Sequence, residues 1–66
     1  MIPLEEVTSN LFLAQITKAN ALSKILSLKK VSKSRALRIK EVLGILHEGI
    51  IRPAEANQAI TRIWQE

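Results

Sequence analysis

Between Lys29 and Lys40 the chain reads KKVSKSRALRIK and gathers six of its ten basic residues, while no carboxylate occurs between Glu6 and Glu41. Side chains of this kind bind anions rather than make or break covalent bonds. Lys29, Lys30, Lys33, Arg35 and Arg38 surround a serine pair, Ser32 and Ser34, either of which suits the N-cap of a helix. A helix start offers unbonded backbone N–H groups and the positive end of a dipole, so phosphate is the guest such a cluster would take. The same residues also suit a plain solvated turn. Arg35 and Arg38, three apart, share one flank of the helix, whereas Lys40 turns to another side.

Catalytic chemistry has no comparable cluster. A nucleophile, an acid–base pair or a metal must be held against a pocket, and the chain has one histidine (His47), no cysteine and no aspartate. His47 near a helix end reads as a surface residue compatible with the dipole. Glu5 and Glu6 diverge by roughly 100° on a helix and so form no carboxylate dyad. Neither GxGxxG nor GxxxxGK[ST] occurs, which leaves nucleotide binding without support. Trp64 reads as a structural anchor. The expectation is a protein that is not an enzyme and takes no cofactor or metal.

Composition then sets the fold class. Hydrophobic residues make up 47% of the 66 and aromatics 3%, a Leu/Ile/Ala-rich mixture that favours packed helices over strands. A chain this short closes a core only marginally, and without disulfides or metal the stabiliser left to it is self-association. The net charge of +4 and pI near 10.0 favour an anionic partner: nucleic acid, a membrane surface or an acidic protein. No run approaches the roughly 20 apolar residues of a membrane span, and MIPLEE is acidic where a secretory leader is basic, so no membrane partner and a cytoplasmic location are expected.

The elements predicted to carry these residues are helices over about 3–29, 34–48 and 53–65, within one helical domain spanning 1–66. Pro3 suits a first turn, with Glu5 and Glu6 at the positive dipole end. Leu4, Val7, Leu11, Ala14, Ala21, Ile25 and Leu28 fall on alternating three- and four-residue steps, with Lys18 at the position that interrupts them. That is a heptad stripe, read either as the seam of a dimer whose register Lys18 helps fix or as one face of a monomeric bundle. One helix through Thr17–Asn20, or two with Asn20 capping the second, are both allowed. In the second segment Ala36, Ile39, Leu43, Leu46 and Ile50 form the inward stripe and Gly49 the left-handed stop. In the third, Pro53 and Glu55 mark the start, Ala56, Ile60 and Ile63 face inward, and Ile50 with Ile51 pins the turn. The fold class expected is all-α: a long N-terminal helix plus an antiparallel helical hairpin, in a homodimer.

Within this pattern LSKILSLKKVSKSRALRIKEVL, Leu22 to Leu43, resembles a bacterial helix-turn-helix, although Lys29-Lys30 stands where that family usually places a small residue. The resemblance implies that Ser32, Lys33, Ser34, Arg35 and Arg38 face the major groove or its phosphates, with Leu26, Val31, Leu37 or Ile39, and Val42 or Leu43 buried. IKEVLGILHEGIIRPAEANQAITRI, Ile39 to Ile63, resembles the SHOCT helical hairpin through Leu43, Leu46, Gly49, Ile51 and Glu55, which implies an interaction or oligomerisation module. Two functional expectations result. The first is a DNA-binding regulator or architectural accessory; the second is an adaptor or inhibitor that docks an acidic protein on its apolar faces.

Overall fold

A computed structural model describes residues 3–66, and these form four helices and no strand: α1 (Pro3–Phe12), α2 (Lys18–Leu28), α3 (Lys33–His47) and α4 (Pro53–Gln65). The N-terminal segment is therefore two helices, not one. The break falls at Leu13 to Thr17, earlier than the Asn20 alternative, and Thr17 is the cap: its Oγ1 accepts the Asn20 backbone N–H at 3.1 Å. What ends α1 is Ala14, whose φ of 60° places it in the left-handed region. The N–H groups of Ala14 and Gln15 return to the carbonyls of Leu11 (3.0 Å) and Asn10 (2.8 Å), the two bonds of a Schellman stop.

The same device ends α3 with the residue better suited to it. Gly49 has φ 82°, and the Gly49 and Ile50 N–H groups bond Leu46 and Ile45. An L-residue held left-handed costs about 1–2 kcal/mol, part of which glycine would return through its greater freedom when unfolded. Ala14→Gly is therefore expected to stabilise the chain by about 0.5–1 kcal/mol, read as a Tm a few degrees higher in thermal circular dichroism.

The helices form a ring. α1 and α3 pack against each other and each against both α2 and α4, whereas α2 and α4 share no packing. The core takes Leu4, Val7 and Leu11 from α1, Ala21 and Ile25 from α2, Ile39, Leu43 and Leu46 from α3, and Ala56, Ile60 and Ile63 from α4. Ile16, Leu22, Val31, Val42, Ile51 and Trp64 lean on it from outside. The radius of gyration, 10.4 Å, is close to the ~11 Å of a compact chain of this length. One copy thus encloses a core without a second.

This changes the meaning of the heptad stripe. Five of its eight positions, Leu4, Val7, Leu11, Ala21 and Ile25, face the chain's own core. Ala14 lies in the α1 stop, Lys18 is exposed, and Leu28 is half-exposed at the end of α2. No continuous seam runs along the surface, because the turn after Phe12 folds the second half of the stripe back against the first. The turn after α3 also differs from expectation: Ile51 packs on the core, but Ile50 is 67% exposed. At the start of α4 the Arg52 N–H donates to the Glu55 carboxylate at 3.0 Å, which fastens that end.

One buried polar group crosses the core boundary. Thr8 is fully buried, and its Oγ1 stands 2.7 Å from Asn57 Oδ1 on α4 and 3.1 Å from the carbonyl of Leu4. This hydroxyl joins α1 to α4. None of the described helices is long and apolar enough to cross a membrane.

Candidate nucleic-acid interface

Lys29 to Ser32 join α2 to α3, and Val31 holds this turn by leaning on the core while its neighbours stay in solvent. Lys29 is extended (φ −153°, ψ 123°) and closes α2 through its own N–H to Ile25. Ser32 is the N-cap of α3: its Oγ accepts the Arg35 N–H at 3.4 Å and its carbonyl takes the Ala36 N–H at 2.9 Å. Ser34 Oγ lies 3.4 Å from Ser32 Oγ. The N–H groups of Lys33 and Ser34, in the first turn, have no helical carbonyl to bond and point out past the cap.

The residues expected to contact an anion divide into two groups. Lys30, Ser32, Lys33 and Ser34 are exposed around the α3 start. Lys29 and Arg38 are exposed too but turn toward the end of α4: Lys29 Nζ donates to the Trp64 carbonyl at 3.3 Å, and the Arg38 guanidinium makes a two-pronged pair with the Glu66 carboxylate, one arm at 2.8 Å. Arg35 is half-buried on the same flank as Arg38. Among the described residues Arg38 is the one cation with an ion-pair partner.

That pair sets the local electrostatics. The hydrogen bonds from Arg38 hold the Glu66 carboxyl below its ordinary range, and the Glu66 carboxylate raises the Arg38 guanidinium in turn. Because the folded-state value of Glu66 is depressed, the brace is intact above the unfolded carboxylate range and is lost as pH falls through the folded value. No sequence signal joins positions 28 residues apart, so the partner of Arg38 becomes visible only in the fold.

The burial alternatives in the helix-turn-helix pattern also resolve. Ile39 and Leu43 are buried, Val42 and Leu26 are partly buried, and Leu37 is 60% exposed. The outer face of α3 therefore presents Lys33, Ser34, Leu37 and Arg38, with Glu41 one turn further along. His47 is exposed at the far end of α3, beside the α1–α2 turn, and no group of three potential metal ligands forms among the described residues.

The arrangement is an uncovered helix start with two free lysines, a serine cap and a neighbouring arginine that Glu66 engages. Comparison with protein-family models, with curated proteins and with solved structures finds no match.

Proposed function

We propose that the chain binds duplex DNA through the α2–α3 turn and the start of α3, as a regulator or architectural accessory. The observation that carries this reading is the exposed first turn of α3, where Lys30 and Lys33 flank backbone N–H groups that no helical carbonyl satisfies. The order helix, four-residue turn, helix supports it, with the outer face of the second helix left uncovered. Lys30, Lys33 and Arg35 supply phosphate contacts; Ser34 and Leu37 meet base edges.

A second copy belongs to the proposal. It uses exposed apolar surface at Leu13, Leu28 or Ile50 rather than the five heptad positions that lie in the core. Three phosphate contacts per protomer give a salt slope of about −2.7 for one bound copy and about −5.4 for two. Affinity of the one-copy complex should then fall roughly 40-fold between ~50 and ~200 mM salt. Fluorescence anisotropy with a mixed-sequence duplex measures the slope, and a slope near zero, or no binding at micromolar protein, ends the reading.

Glu66 restrains this interface by engaging Arg38. Glu66→Gln is expected to release Arg38 as a further phosphate contact, steepening the salt slope by about 0.9 per protomer and tightening binding at low salt. Lowering the pH through the folded value of Glu66 should move the native protein in the same direction and leave the variant unmoved.

A further inference from the structure

Two lysines that the DNA reading leaves unused, Lys18 and Lys40, meet across a groove between α2 and α3 whose other lining residues are Ala19, Leu22, Leu43 and Gly44. We infer that this groove is a docking site for an acidic amphipathic helix of a partner protein. No carboxylate lines it. Its volume of about 370 Å³ is within the range of ordinary ligand clefts.

Gly44 is the residue that points outward. It sits inside α3, where glycine is the least favourable residue after proline. The fold gives no reason for it: a Cβ built there would meet nothing within 4 Å, and its backbone, unlike that of Gly49, is not left-handed. A glycine that neither packing nor backbone geometry requires, at the wall of an apolar groove, fits a close approach by something outside the chain. Ala19, on the α2 side of the groove, adds only a methyl group to it. A helix laid along the groove would place apolar residues on Ala19 and Leu22, above the buried Leu43, and carboxylates against Lys18 and Lys40, the helix-in-groove mode of recognition. A nucleic-acid strand finds a poorer match here, since half the lining is apolar and the two cations stand on opposite walls.

The test uses the full chain, 15N-labelled, titrated with a 16-residue amidated peptide of leucine, alanine and glutamate in amphipathic order. Saturable amide shifts are expected at Ala19, Leu22, Lys40 and Gly44, with a Kd below about 100 µM, and none with the lysine-for-glutamate peptide. Gly44→Leu, whose Cβ has open space and whose side chain would occupy the groove, should weaken binding at least tenfold while circular dichroism shows the fold retained. Gly44→Ala should weaken it less while raising Tm by several degrees through helix propensity, a divergence that a purely structural glycine would not give. Lys18→Glu with Lys40→Glu should reverse the preference between the two peptides. The inference is overturned by absent or non-saturable shifts, by shifts centred instead on Val42 and Ile45, which line a separate groove between α3 and α4, by unchanged affinity in Gly44→Leu, or by a DNA duplex shifting the groove residues in place of the peptide.

Discussion

Lys30→Glu combined with Lys33→Glu is expected to abolish duplex binding while leaving the fold intact. Removing two of three phosphate contacts flattens the salt slope from about −2.7 to about −0.9, which at ~50 mM salt against a 1 M reference is a loss of roughly 200-fold, and reversing the charges adds repulsion to that. Both side chains are exposed, and neither takes part in the hydrogen bonds or ion pair found among the described residues. Their replacement should therefore change stability by no more than about 0.5 kcal/mol. Lys29 makes a poor substitute for either, since its ammonium holds the Trp64 carbonyl and its loss would loosen the end of α4 as well. Anisotropy beside thermal circular dichroism separates the two effects: unchanged affinity in a folded double variant would remove the α3 start as the contact surface.

Much of the fold is legible in residue spacing, because burial follows helical periodicity wherever a helix persists. Ile39, Leu43 and Leu46, and Ala56, Ile60 and Ile63, line the core as their steps of three and four require. Gly49 ends α3 because glycine tolerates positive φ, and Pro53 opens α4 for an equally local reason. A break near Thr17 to Asn20 is open from the sequence, but its place between α1 and α2 and its cap are missed for the opposite reason. Its left-handed residue is Ala14, which reads as a strong helix former, and its cap is Thr17, which the heptad arithmetic passes over. A three–four rhythm continued through the turn, so Ala21 and Ile25 kept their phase while the chain reversed direction. One-dimensional periodicity cannot distinguish a stripe that runs on from a stripe folded against itself.

The candidate interface was legible in part for the same physical reason. Ser32 as N-cap and Lys30 and Lys33 beside it are local features, fixed within a few residues of sequence. The engagement of Lys29 and Arg38 by Trp64 and Glu66 depends on how α4 returns across α3, and the Thr8–Asn57 contact depends on the same closure. Lys18 and Lys40 looked like exceptions, one to the heptad and one to the basic face, until the packing of α2 on α3 brought both to one groove.

Ile39→Ala should have the largest effect on stability of any change near the interface. Ile39 is fully buried on α3, which like α1 packs against all three other helices, and truncating such a side chain costs about 2–5 kcal/mol. A 66-residue domain holds about 3–10 kcal/mol in total, so the variant should lose at least ~10 °C in Tm and unfold measurably at 37 °C. Leu37→Ala, two residues earlier and 60% exposed, should shift stability by no more than about 0.5 kcal/mol. The contrast reads the rotation of α3 directly, since turning the helix to bury Leu37 would exchange the two results. It also bears on the site. Leu37 lies one helical turn beyond Lys33 on the outer face, where an apolar side chain can meet a thymine methyl in the major groove. In the proposed complex Leu37→Ala therefore weakens binding to thymine-containing duplexes in a protein of unchanged Tm, whereas Ile39→Ala weakens binding to every duplex in proportion to the fraction unfolded.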